Sequence, residues 1–173
     1  MSLDFRGLWS RATPWREYLD PALQSYELWR GVFERVSIAD ATLEQFRASP
    51  LCRLLVLAED WCGDAANSVP VLAALAERAG IELRVLPRDS FPEAMEVYLT
   101  NGTRSIPIAI GLDAEFRELG HWGPRPAALQ EWMLANQRMM PSPQRYAYAR
   151  RWYAQDRGVT TLAEVLKAVT RDP

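Results

Sequence analysis

The stretch Arg53 to Pro70, RLLVLAEDWCGDAANSVP, constrains this chain more than any other. It reads as an apolar strand, a sharp Trp-Cys-Gly corner, and a helix that begins at or just after Cys62. A thiol at the start of a helix meets unpaired backbone N–H groups and the positive end of the helix dipole, both of which favour the thiolate. The position three residues further on, where a dithiol site needs its second sulfur, holds Ala65.

The flanking sequence supplies the setting. Leu51 to Ala58 is a short, nearly unbroken apolar run, which suits a central parallel strand covered on both faces. After the corner, Val69, Leu72, Leu75, Ala76 and Ala79 form the inner side of a helix with Pro70 as a kink and Gly80 as its end. Ile81 to Pro87 reads as a second buried strand, so strand, helix and strand make a right-handed crossover with a parallel pair. Ser90, Pro92 and Glu93 give a capping-box start to a helix reaching Leu99, followed by a turn at Asn101-Gly102. Ile106 to Gly111 and Glu115 to Leu119 are too closely joined to be anything but antiparallel. Gly120 to Pro126 is a rigid loop, and Leu129, Trp132 and Met133 mark the next helix.

These elements predict an α/β fold with a central mixed four-stranded sheet flanked by helices. The chain, 1–173, is expected to be one domain with its core at 51–140. An N-terminal helical extension is expected at 12–49. Residues 1–11 read as a loose arm, Thr13-Pro14 and Asp20-Pro21 as helix starts, and Ala22, Leu23, Tyr26, Trp29, Val32 and Phe33 as a core-facing stripe. Met139 to Pro143 is a linker to a C-terminal extension at 142–171. There Tyr146, Ala149, Trp152 and Tyr153 line one helix, and Thr161 with Glu164 caps another. Two such helices cannot form a core alone, so they pack on the main domain or on a second subunit, and the oligomeric state stays open.

Charge narrows the partners. Twenty Lys and Arg are balanced by 22 acidic residues, so no nucleic acid is expected, and the Arg145 to Arg151 cluster reads as a solvated helix face. No run approaches the roughly 18 apolar residues of a membrane span, and the N-terminus has no signal-peptide pattern, so a cytoplasmic location is expected. Cys52 and Cys62 flank a strand rising about 3.3 Å per residue, which carries them past the roughly 7 Å limit for a disulfide. One histidine and scattered acids make no zinc cluster, so neither a metal nor any other cofactor is expected.

The order of elements, Trp61-Cys62-Gly63 at the corner, Pro70 in the helix, Asp89 and Pro92 after the second strand, and Gly102 to Pro107 (GTRSIP) together resemble the thioredoxin family. The resemblance covers roughly Leu51 to Ala135. It implies that Pro107 is the family's cis-proline and that Gly120 is the glycine of the loop facing the site. The sequence is also similar to bacterial thioredoxin-like proteins that carry a WCGDA motif and an N-terminal helical extension. It departs from thioredoxins in having Asp64 and Ala65 for the proline and resolving cysteine, and Val56 for a buried strand acid.

The chemistry left open by these residues has three forms. Cys62 is an inert relic of the fold; or it is a monothiol that works with glutathione or a protein thiol, or senses peroxide; or the surface binds a partner without turnover. Dithiol disulfide reduction is excluded by Ala65. Asp64 sets a negative charge beside the sulfur and is also placed to cap the helix. His121 would lie in the loop facing the corner, as a base for Cys62 if within hydrogen-bond reach, or else as a surface histidine packed by Trp122. Trp61, Ile106, Pro107 and Trp122 are expected to form an apolar lip. Related folds pair the backbone beside the cis-proline with an extended peptide.

Overall fold

The computed structural model describes residues 3–170. Its centre is a strand, β2 (Arg53–Ala58), whose side chains alternate between two apolar layers. Leu54, Val56 and Ala58 enter one layer and Leu55 and Leu57 the other. Burying each leucine in full stabilises the fold by about 1.5–3 kcal/mol. Beside it β3 (Glu82–Pro87) runs parallel, from Arg53 opposite Glu82 to Ala58 opposite Pro87. On its other side β4 (Ile108–Leu112) and then β5 (Glu118–Trp122) are antiparallel.

The sheet has five strands, not four. Thr13–Pro14, expected as a helix cap and first helical residue, forms a short edge strand, β1, antiparallel to β3. Proline is tolerated there because an edge strand has one side free of partners. The sheet order is β1-β3-β2-β4-β5.

The N-terminal segment is more ordered than the sequence suggests. Within the expected loose arm, Phe5–Arg11 is a helix, α1, capped by Asp4, whose carboxylate accepts the Gly7 N–H at 2.9 Å. Its Leu8 and Trp9 cover the Leu55/Leu57 layer. The single turn α2 (Trp15–Tyr18) follows. The expected helix start at Pro21 is a turn, because Asp20 takes the Ala22 N–H at 2.8 Å, and α3 begins only at Tyr26 (Tyr26–Arg35). Trp15, Tyr18, Trp29 and Phe33 then pack ring on ring, with centroids 5.4–6.4 Å apart. Helix α4 (Asp40–Ala48) leads into β2.

Helix α5 (Gly63–Ala79) holds Pro70 within its length, and Gly80 ends it with φ 77°. The expected capping-box helix shrinks to α6 (Pro92–Met95) between two 3-10 turns, leaving Val97 and Leu99 exposed. Strand β5 also begins three residues later than expected, because Phe116 takes a positive φ of 66° and Asp113 gathers the N–H groups of Glu115 and Arg117 into the turn.

Both C-terminal helices pack on the body of the molecule. Helix α7 (Ala127–Ala135) pairs with α8 (Ser142–Asp156), where Trp132 stacks on Tyr148 at 3.6 Å between centroids. Helix α9 (Val159–Val169) lies on β5 and α5. Glu164 does not cap α9 with Thr161, which is buried inside it. Its carboxylate accepts the Trp122 indole N–H at 2.7 Å and the Ala127 N–H at 2.9 Å, tying α9 to β5 and α7. Among the described residues no helix is long and apolar enough to cross a membrane.

Gly111 and Gly120 face each other across β4 and β5, and both lie under α9. A Cβ at Gly120 would stand 2.2 Å from the Ala168 carbonyl oxygen, which is backbone and cannot rotate away. At Gly111 its close contacts would be the side-chain ends of Val169 and Leu51, at 2.4 and 3.0 Å, with the Gly120 carbonyl oxygen at an ordinary 3.5 Å. Gly120→Ala is therefore expected to cost about 1–3 kcal/mol, as overpacking does, and Gly111→Ala less. Urea unfolding of both variants tests this, and the reverse order would refute the account of how α9 seats.

Candidate functional site: a thiol cleft without a second cysteine

The corner that presents Cys62 is braced from three sides. The Cys62 N–H donates to the Glu59 carbonyl at 3.1 Å, and the Cys62 carbonyl accepts the Ala66 N–H at 2.9 Å as the first bond of α5. Asp60 takes the Trp29 indole N–H on its carbonyl at 3.3 Å and the Gln24 N–H on its carboxylate at 2.9 Å. Glu59 accepts the Asp89 N–H at 2.8 Å. The two acids at the strand end thus hold the loop to the N-terminal helices and to the loop after β3. Trp61 is left 49% exposed, with the Arg88 guanidinium 5.0 Å above its ring.

Cys62 is the N-cap residue of α5 and its thiol is aimed at the opposite wall, 3.6 Å from the Ile106 carbonyl oxygen. The Ile106–Pro107 peptide is cis. A thiol donating to a carbonyl is stable only while protonated. Burial is the largest influence on this group and pushes its pKa above the ordinary value. The Ala65 and Asp64 N–H groups and the Arg125 guanidinium pull it down, but the Asp64 carboxylate adds to the rise and the net shift is upward. Ala65 is fully buried, and both cysteines are free. Cys52 sits beyond the start of β2, bonded to the Leu112 carbonyl, at the far end of the strand from Cys62.

Asp64 does not cap the helix through its side chain. It is 6% exposed and forms a buried ion pair with Arg125, 2.7 Å from Nη2, while the Tyr153 hydroxyl donates to its other oxygen at 2.9 Å. Burial works against the charge on Arg125, but Asp64 more than offsets it and holds the guanidinium protonated. Arg125 and Tyr153 are the site residues that sequence reasoning missed. Arg125 lies in the GHWGPRP loop and Tyr153 on α8, and nothing in their spacing links either to Asp64.

His121 and Trp122 do not reach the thiol. Both belong to β5 rather than to a loop, opposite Ile110 and Ala109. His121 Nδ1 is 3.0 Å from Glu118 and its ring packs edge-on against Tyr98 at 4.8 Å. Trp122 is buried in the α5 layer, where it meets Glu164. Of the expected apolar lip only Trp61 is exposed at the cleft; Ile106 and Pro107 are buried, and Thr103, Arg104 and Ser105 make the facing wall polar. Gly120 lies under α9. The glycine against the cis-proline is Gly123, where a Cβ would come within 2.1 Å of the Pro107 carbonyl oxygen. Gly63 is under no such constraint, since a Cβ there would meet nothing within 4 Å.

Cys62 opens into a cleft of about 820 Å³ between the Trp61 corner, the Thr103–Ile106 segment and α8. Four arginines line it, Arg88, Arg104, Arg125 and Arg150, against Asp64 and Asp89. Arg88 is paired with Asp89 and Arg104 with Glu96, so Arg150 is the lining arginine without an ion pair among the described residues. The N–H groups of Ser105 and Ile106 have no partner among the described residues either.

Breaking the buried pair leaves a charge without its partner. Asp64→Ala is expected to lower the unfolding free energy by about 3–5 kcal/mol, and Asp64→Ala with Arg125→Met to recover much of it. A urea double-mutant cycle reads this, and additive losses would contradict a coupled pair. The raised Cys62 pKa has a second consequence. Below about pH 8.5 both folded and unfolded chains hold the proton and the contribution is complete; above it the unfolded chain releases the proton first and stability falls. Cys62→Ser is expected to flatten that alkaline decline in a pH series of urea midpoints, and an unchanged slope would count against it.

Comparison with known proteins places this geometry. A family model described as Thioredoxin matches residues 12–143. No curated protein matches. Among solved structures, a protein of unknown function from Pseudomonas aeruginosa is 20% identical with a TM-score of 0.73, the match covering 96% of each chain. An HIV epitope-scaffold is 19% identical with a TM-score of 0.72, over 95% of this chain and 96% of its own. At that identity the structures speak for the fold alone, while the family model spans most of the sequence: the chain belongs to the thioredoxin family.

Proposed function

We propose that this protein is a thioredoxin-fold binding protein whose cleft holds an extended peptide or a thiol compound without dithiol exchange. The observation that carries the reading is Cys62 itself, its thiol 3.6 Å from the Ile106 carbonyl and favoured in the protonated form by burial, with Ala65 where a resolving sulfur would stand. Exchange needs a thiolate to attack and a second thiol to release the product, and neither is supplied. Binding has what it needs. The free N–H groups of Ser105 and Ile106 are strand-pairing donors, and exposed Trp61 offers an apolar face beside them. The reading requires a reducing compartment such as the cytoplasm, where Cys62 stays a thiol.

The chemical test is iodoacetamide alkylation across pH. Cys62 is expected to react more slowly than glutathione at pH 7, with a midpoint above about 8.5, and insulin reduction by dithiothreitol is expected to proceed at its uncatalysed rate. Rapid alkylation at pH 7, with a glutathione mixed disulfide forming at Cys62, would replace this reading by monothiol exchange. The binding test is amide NMR with peptides selected against the protein. Shifts are expected at Ser105, Ile106 and the Trp61 indole and are expected to survive Cys62→Ser. Peptide shifts confined to other surfaces would refute the cleft.

A further inference from the structure

A second cavity, of about 720 Å³, adjoins the thiol cleft and shares with it Leu28, Asn67, Arg150 and Tyr153. It lies between α3, α5, α8 and the start of α9. Its walls are Val32, Val36, Val71, Ala154 and Val159, and its size is within the range of small-molecule pockets. Three arginines, Arg35, Arg150 and Arg157, stand around it, and no acidic residue lines it. None of the three has an ion pair or a side-chain hydrogen bond among the described residues. Most other surface arginines here do have a carboxylate, Arg16, Arg30, Arg47, Arg104 and Arg117 among them.

An apolar wall whose charged neighbours are all cationic, beside the neutral Ser37 and Asn67, selects for an occupant with an apolar body and an anionic end. We propose that this cavity binds a single-chain anionic amphiphile, a fatty-acid-like carboxylate, with its chain against the valines and its head group among the three guanidiniums. Guanidinium presents a planar fork that matches a carboxylate in two parallel hydrogen bonds. An extended peptide fits less well, because most of the lining, outside the Val36-Ser37 and Arg157-Gly158 segments, is helical and helix backbone is already bonded. A second copy of this chain fits poorly too. A two-fold contact through this face would bring the same three arginines toward each other.

The site is distinct from the peptide-binding wall at Ser105 and Ile106, so either proposal can fail alone. Titration calorimetry with dodecanoate, below its micelle concentration, is expected to give saturable binding at one site. Dodecyltrimethylammonium, with the same chain and the opposite charge, is expected to bind at least about tenfold more weakly. The double variant Arg35→Glu with Arg157→Glu changes exposed side chains only, and is expected to keep the circular dichroism spectrum while losing about tenfold in dodecanoate affinity. Equal binding of the two amphiphiles, or unchanged binding by the double variant, overturns the proposal. So does a concentration-dependent dimer that buries Val159 and leaves no heat of dodecanoate binding.

Discussion

The Asp64–Arg125 ion pair, with Tyr153 on the second carboxylate oxygen, is the interaction on which the arrangement of the site depends. Asp64 stands in the first turn of α5, Arg125 in the loop after β5, and Tyr153 on α8, so one carboxylate ties the thiol corner to the cis-proline side and to the C-terminal helices. A buried charge pair is rarely the most stable filling for its space, since well-packed apolar residues often do as well or better. What it does supply is geometry. An uncompensated charge costs several kcal/mol, so these three elements are held where both charges are paired, although the buried Arg125 Nε has no partner among the described residues.

The same pair bears on the charge state of the corner thiol. A cysteine at a helix N-terminus gains from the backbone N–H groups of the first turn, and those of Asp64 and Ala65 do lower its pKa. Burial outweighs them. Packing against both apolar layers, with the Ile106 carbonyl opposite, takes water from the sulfur and so favours the neutral thiol. Asp64 then adds a negative charge nearby, only partly cancelled by Arg125. The pattern Asp64-Ala65 therefore acts twice, leaving no resolving sulfur and setting a carboxylate beside the remaining one.

Much of this was legible in the sequence where a feature depends on neighbours along the chain. The apolar runs of β2 and β3, the corner, α5 and the crossover follow from periodicity and spacing, and the thioredoxin-like order follows from them. What sequence could not show was set by long-range packing. Thr13–Pro14 becomes a strand because β3 has a free edge, and Glu164 leaves its cap position because Trp122 and Ala127 present donors from other elements. The shift of β5 put His121 and Trp122 into the sheet and moved the glycine facing Pro107 from Gly120 to Gly123. Motif spacing carried the candidate site as far as Cys62, Ile106 and the cis-proline. Arg125 and Tyr153 lay beyond it, because Tyr153 is 89 residues from its partner and reads locally as one more aromatic on an amphipathic helix.

Tyr153 joins the two cavities, and this makes the C-terminal helices part of the site rather than an appendage. Its ring borders both the thiol cleft and the apolar pocket while its hydroxyl is spent on Asp64. A ligand in one cavity can alter the other only if it binds two arrangements of the shared wall with different affinity. The wall has a natural second arrangement in which Tyr153 leaves Asp64, but that exposes a buried carboxylate oxygen without its donor, at about 1–3 kcal/mol. A cost of that size is small enough for a ligand to overcome and large enough to keep the bonded form dominant in its absence. Coupling between the two cavities can then run through this hydroxyl, through Arg150, or through Asn67, the three polar groups that both share. Arg150 is exposed and without an ion pair among the described residues, so it can follow a ligand without disturbing anything else, whereas the Tyr153 hydroxyl on Asp64 and the Asn67 amide on the Gly63 carbonyl both lead to residues beside the thiol.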